Sequence, residues 1–249
     1  MKIISVADKN EMSGRAASII SQLVRRKNDA VIGLATGGTP EGTYSKLVED
    51  RQKNHTSYSK IRTVNLDEYV GIPRDDPNSY HTYMENHLFK FVDLPAGQHF
   101  LPDGNALSLS EECRGYDQMI EELGGVDLQL LGIGRNGHIG FNEPGTPFDI
   151  GTHTVELTDS TRRANARFFG SIDAVPSQAI TMGICTIMKS RSILLIVSGE
   201  NKAEAMSRLL NTEKTDTDFP ASVLISHPDV TVIADAEALA RTKKKAGKF

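Results

Sequence analysis

Apolar residues recur along this chain in two periods, and their alternation lays out the fold. Lys2 to Val6 reads as a short strand, after which Met12, Ala16, Ile19, Ile20, Leu23 and Val24 return at helical spacing. The helix ends in Arg25, Arg26 and Lys27, charges that suit the negative end of its dipole. Ala30 to Ala35 predicts a second strand, followed by the turn Thr36-Gly37-Gly38-Thr39-Pro40 and a helix marked by Tyr44, Leu47 and Val48. Ile61 to Leu66 predicts a third strand. Pro73 to Pro77 and Pro95 to Gly104 read as loops, and Ser79 is placed to cap a helix carrying Tyr83, His87, Leu88 and Phe91. Ser108 opens a helix with Leu109, Cys113, Tyr116, Ile120 and Leu123 on one stripe, closed by Gly124 and Gly125. Val126 to Leu131, His153 to Leu157, Ser192 to Ser198 and Val230 to Ala234 read as strands, and Ala179 to Ile184 is a further apolar run. Gly199 to Leu210 and the short Ala236 to Arg241 read as helices. Seven or eight strands alternating with helices, with no repeat or long linker, predict an α/β fold. The expectation is a single doubly wound domain over residues 1–249 with a mainly parallel central sheet.

Composition narrows the partners. The 249 residues carry a net charge of −4, no Trp and 6% aromatics, which argues against nucleic acid, since neither a basic footprint nor stacking platforms are available. An anionic ligand must then be met by locally placed cations or backbone amides. The longest aliphatic run, Ile193 to Val197, is too short to span a bilayer and the first residues lack a signal-peptide core, so a soluble, cytoplasmic protein without a membrane partner is expected. Cys113 and Cys185 form no redox or metal pattern, and the seven His residues form no HxH or HExxH arrangement, so no metal is expected. The sequence does not decide oligomeric state; a homo-oligomer is compatible with it.

Candidate chemistry gathers where strands end. Leu131 to Gly145, LGIGRNGHIGFNEPG, places Asn136, His138 and Glu143 in a glycine-rich loop directly after a strand, and in parallel α/β sheets ligands sit at such ends. Asp67 and Glu68 follow the third strand; adjacent residues on an extended segment point to opposite faces, so at most one of them faces a site as a base. Thr36 to Thr39 is a strand-turn-helix junction of the kind that holds phosphate on backbone N–H groups. It lacks both the GxGxxG fingerprint and the lysine of a nucleotide loop, so a single phosphate is the economical ligand. Arg162, Arg163 and Arg167 are either a solvated face or an anion clamp, and composition favours the former. Lys202 lies in the first turn of a helix, where a cation opposes the dipole unless something anionic binds nearby.

GLATGGTP at 33–40, NLDEYVG at 65–71, GIGRNGHIGFNEPG at 132–145 and RRANARFFG at 162–170 together resemble the glucosamine-6-phosphate deaminase family, over nearly the whole chain. The resemblance implies a Rossmann-like α/β fold with a mobile lid around residues 150–185, and conversion of glucosamine 6-phosphate and water into fructose 6-phosphate and ammonium without a cofactor. It assigns Asp67 to proton transfer between C2 and C1. His138 is assigned to ring opening, with Glu143 and Asn136 orienting it. The phosphate falls to Thr36, Gly37, Gly38, Thr39, Arg167 and Lys202, while Arg162 and Arg163 keep their solvated reading. A sugar-phosphate lactonase of the same superfamily is the nearest enzymatic rival, but such enzymes typically follow the histidine with an SLFP-like run where this chain has IGFNEPG. A sugar-phosphate sensing module is the alternative from a different class, and retention of Asp67, His138 and Glu143 together argues against it.

Overall fold

The structure, a computed structural model, describes residues 1–242 apart from the side chains of Ser160, Ala164, Arg167 and Phe168. The lysines at 243, 244, 245 and 248 lie outside the described residues. The chain runs β1 (Lys2–Val6), α1 (Lys9–Arg26), β2 (Val31–Leu34), α2 (Glu41–Asn54), β3 (Arg62–Asn65), β4 (Asp67–Tyr69) and α3 (Tyr80–His87). There follow β5 (His99–Phe100), α4 (Leu109–Glu122), β6 (Leu128–Leu131), β7 (His153–Glu156), α5 (Asp159–Phe169) and β8 (Gln178–Thr181). The last elements are α6 (Ile184–Met188), β9 (Ile193–Val197), α7 (Ala203–Asn211) and β10 (Val230–Asp235). Side-chain oxygens of Asp8, Ser79, Ser108 and Thr158 accept the orphan N–H groups that open α1, α3, α4 and α5.

Seven strands make one sheet in the order β1-β10-β9-β6-β2-β3-β5, and every pairing in it is parallel. Both faces are covered, which is why its inner strands read as unbroken apolar runs. Leu34, Leu130, Leu194 and Ile196 pack on one side with Met12, Ile20, Tyr44 and Leu47 of α1 and α2. Val64, Leu131, Leu195 and Val232 pack on the other with Tyr116, Ile120, Met206 and Leu209 of α4 and α7. From β2 the chain proceeds outward through β3 to β5, then returns to lay β6 on the other flank of β2. The reversal between β2 and β6 is the topological switch point, whose carboxyl-end crevice is where such sheets bind ligands.

Two strands escape the sequence pattern, and both are short. β5 pairs only two residues with β3 inside the stretch expected to be loop, and a single residue, Leu66, separates β4 from β3. At Leu66 the chain steps out of the large sheet into a second, antiparallel one ordered β4-β8-β7, so the apolar run through Ala179 and the strand at His153 serve this smaller sheet. The expected helix over 236–241 is a series of turns instead. No helix among the described residues is long and apolar enough to cross a membrane.

Candidate active site

Because the large sheet is parallel, the segments that follow β9, β6, β2 and β3 all leave from one rim, in that spatial order. They carry Lys202, then Asn136, His138 and Glu143, then Thr36 to Thr39, then Asp67. Residues scattered over 166 positions of sequence are thus delivered to adjacent strand ends.

In the loop after β6 the imidazole of His138 folds back over Gly134; a Cβ there would sit 2.3 Å from the ring, so the close approach requires glycine. Asn136 bridges histidine and carboxylate. Its Nδ2 donates to Glu143 Oε2 at 2.6 Å, while its Oδ1 lies 2.8 Å from His138 Nδ1 and 3.2 Å from the His138 backbone N. A carboxylate can only accept from the amide nitrogen, so Glu143 fixes which way the amide points. The oxygen then faces the imidazole, which must carry its proton on Nδ1 and leave the Nε2 lone pair free. Glu143 is held at its other oxygen by the Thr161 hydroxyl of α5, 2.6 Å away. Burial raises the Glu143 pKa, but hydrogen bonds from His138, Thr161 and Asn136 and the nearby imidazole outweigh it and hold it at about 2.

Asp67 is buried where the chain crosses between the sheets, and burial, followed by the neighbouring Glu68 charge, pushes its pKa to about 8. Alternation along β4 separates the two acids, in line with the expectation that at most one faces the site. Glu68 turns to the amino end of α3, where its carboxylate accepts the backbone N–H groups of Tyr69, Tyr80 and His81 at 2.8, 2.9 and 2.9 Å. Asp67 turns toward the loop after β6: a methyl group added at Gly140 would lie 3.8 Å from Asp67 Oδ2. The loop is fastened beside it, because Phe141 N donates to the Thr181 hydroxyl at 3.1 Å and Asp67 pairs with Thr181 across β4 and β8.

The turn after β2 directs its backbone amides away from the carbonyls that the protein itself binds. Tyr83 Oη donates to the Gly37 carbonyl and Lys9 Nζ to the Gly38 carbonyl, each at 2.7 Å. In a trans peptide the N–H points opposite to the carbonyl, so the amides of Gly38 and Thr39 are aimed the other way. α2 then begins without a side-chain cap, leaving its first amides available. A cavity of about 210 Å³ opens here, lined in part by Gly37, Tyr69, Tyr80, Tyr83, Asn165 and Phe169. Lys202 occupies the N-cap position of α7, half-buried and without a side-chain capping hydrogen bond. Burial and the charge of Arg135 bring its pKa down to about 8, and neither cation makes an ion pair among the described residues. Two cations that repel each other without a protein counter-charge leave room for a bound anion.

Arg135 was not among the residues singled out in the sequence. Its signal is a cation at the first turn of a loop leaving a parallel strand. The side chain of Arg167 lies outside the described residues, although its backbone belongs to α5. Arg162 departs from the solvated reading: its guanidinium donates to the carbonyls of Ile172 and Val175 at 3.0 and 3.2 Å, pinning the loop that follows α5. Arg163 is exposed, as expected.

Residues 7–233 match the family described as glucosamine-6-phosphate isomerases/6-phosphogluconolactonase. Glucosamine-6-phosphate deaminase of Geobacillus sp. (strain WCH70) is 60% identical over 239 residues, which are 96% of this chain and 95% of that one. The chain belongs to the glucosamine-6-phosphate deaminase family. Glucosamine-6-phosphate deaminase 1 of Bacillus subtilis (strain 168) is 54% identical over 96% of this chain and 98% of its own. A solved glucosamine-6-phosphate deaminase described as monomeric superposes with a TM-score of 0.95 at 54% identity, covering 97% of this chain and all (100%) of that one. The Trypanosoma cruzi 6-phosphogluconolactonase, at 21% identity and a TM-score of 0.76 over 96% of both chains, shares the fold alone. The deaminase resemblance read from the four motifs is therefore borne out, and the lactonase alternative is set aside by identity rather than by fold.

Proposed function

We propose that this chain converts glucosamine 6-phosphate and water into fructose 6-phosphate and ammonium, using the rim residues of residues 1–249 acting as one domain. The observation that carries the reading is the placement of buried Asp67, with its raised pKa, against the loop that holds the Asn136, His138 and Glu143 chain. In this mechanism His138 Nε2 takes the proton of the anomeric hydroxyl and returns it to the ring oxygen, opening the sugar. The exposed aldehyde at C1 acidifies the C2 proton, which the Asp67 carboxylate removes to give an enolamine. Returning a proton to C1 produces an imine at C2. Water adds there and ammonium departs, leaving the C2 ketone.

Asp67 suits this task because a base with a pKa near the working pH both accepts and returns a proton readily. The phosphate would rest on the amides of Gly38 and Thr39, the hydroxyls of Thr36 and Thr39, and the cations Lys202 and Arg167, with Arg135 adjoining. We assign lid behaviour to residues 150–185, supported by the way α5 touches the site at both ends. Its Thr161 reaches Glu143, and its Phe169 ring sits edge-on to Tyr69 with centroids 5.3 Å apart. Closure there would keep water from the enolamine. Free thiols at Cys113 and Cys185 suit a reducing, cytoplasmic setting.

The test is purified protein with glucosamine 6-phosphate, scored for ammonium and fructose 6-phosphate together. Equal yields are expected, and absence of ammonium refutes the reading. Two further outcomes follow from the charges. Lys202→Ala should raise KM by about 10- to 100-fold through loss of a charge-assisted contact, with kcat within a few-fold; an unchanged KM removes Lys202 from the phosphate site. The profile of kcat/KM against pH should be a narrow bell near pH 8, since Asp67 must be ionised and Lys202 protonated, each with a pKa of about 8. Lys202→Arg should abolish the alkaline limb and keep the acidic one. A profile flat from pH 6 to pH 8 contradicts the role of Asp67.

A further inference from the structure

His81 and Glu85 stand four residues apart on α3 and so share a face, one that does not line the rim cavity. Opposite them His99 enters from β5, only 8% exposed and with its ring against Phe89, centroids 4.3 Å apart. One ligand atom from each of the three side chains lies within 4.8 Å of the others, and His99 Nε2 is 3.9 Å from Glu85 Oε1. His81 Nε2 is buried with no hydrogen-bond partner among the described residues, a costly arrangement that asks for something to satisfy it. The catalytic scheme uses none of these side chains.

We propose that His81, Glu85 and His99 form a binding site for a divalent transition-metal ion, zinc being the best match, that fastens α3 to β5. Two imidazoles and one carboxylate are the donor set such ions favour, whereas calcium and magnesium ask for all-oxygen cages. Metal ligation needs neutral imidazoles. Burial, then the charges of Arg74 and His99, hold His81 at about 4, and burial together with Arg74 outweighs Glu85 in lowering His99. In a tetrahedral zinc site neighbouring ligand atoms are about 3.4 Å apart, so small side-chain rotations would close the cluster, with water as the fourth ligand. Glu85, its side chain 37% exposed, gives the ion a way in from solvent. The first-turn amides of α3 hold Glu68, so an ion fixing α3 would also steady the wall behind Asp67. No HxH or HExxH pattern marks this set, because its third member is 14 residues past Glu85, on a strand too short to be read from sequence.

The experiment is calorimetric titration of chelator-treated protein with Zn²⁺, alongside Glu85→Gln and His99→Asn, with Co²⁺ absorption as a spectroscopic check. One Zn²⁺ per chain is expected with a Kd of about 10 µM or tighter, weakened about tenfold or more by Glu85→Gln, with loss of the Co²⁺ ligand-field bands. Weaker binding to the parent protein, or Glu85→Gln binding Zn²⁺ as the parent does, overturns the proposal. Glu85 is partly exposed and its glutamine isostere preserves packing, so the result stands even where His99→Asn does not fold.

Discussion

Replacing Asp67 with asparagine is expected to lower kcat by about 10³-fold or more, with KM within a few-fold, while making the folded chain more stable above pH 8. The loss of rate follows because no other group described beside Gly140 can take the C2 proton. The gain in stability follows from linkage. The carboxyl has a pKa of about 8 in the folded chain, through burial and then the Glu68 charge, against an ordinary 3.8. A raised acid favours folding below the unfolded value, and that advantage is lost as pH rises from about 4 through 8. Above pH 8 the ionised, buried Asp67 opposes folding by an upper bound of about 6 kcal/mol, a cost that asparagine does not carry. Melting curves at pH 5 and pH 9 check the sign: the variant's advantage over the parent should widen at pH 9. An advantage over the parent no larger at pH 9 than at pH 5, or a kcat within about tenfold of the parent's, contradicts the assignment.

His138→Asn is expected to reduce kcat by about 10²-fold, a smaller effect because sugar rings also open without help. Glu143→Gln should reproduce most of this loss although it leaves the imidazole in place. The carboxylate determines that Asn136 presents its oxygen to Nδ1, and a glutamine amide can turn its own nitrogen toward Asn136 and reverse the whole chain of donors. The Nε2 lone pair would then be replaced by an N–H, and the base for ring opening would be gone. Steady-state kinetics of both variants, with the anomerisation rate measured separately, provides the check. Full activity in Glu143→Gln would mean that the histidine is oriented by something other than this chain.

Much of this arrangement could be read from residue order, for physical reasons. Buried parallel strands such as β9 declare themselves as continuous aliphatic runs, and loops that leave them carry polar chemistry at one rim. Asp67 could be separated from Glu68 in kind, because alternation forbids both from facing one site, but not in identity. Only the amides opening α3 show that Glu68 is the one consumed by structure. Strands of two and three residues, β5 and β4, have too few positions to show a period, and with them the second sheet went unseen. Thr161 on Glu143, Arg135 beside Lys202 and the docking of Arg162 on two carbonyls depend on how α5 and the loops pack, which no local spacing encodes.

The proposed division of labour gives ring opening to His138 and proton movement at C2 to Asp67. Asp67→Asn protein incubated with glucosamine 6-phosphate in deuterium oxide, with the C1 and C2 protons followed by NMR, tests it most directly. Anomers that still interconvert faster than without protein, a C2 proton that is not exchanged, and no ammonium are the expected result. Exchange at C2, or ammonium release near the parent rate, would contradict it.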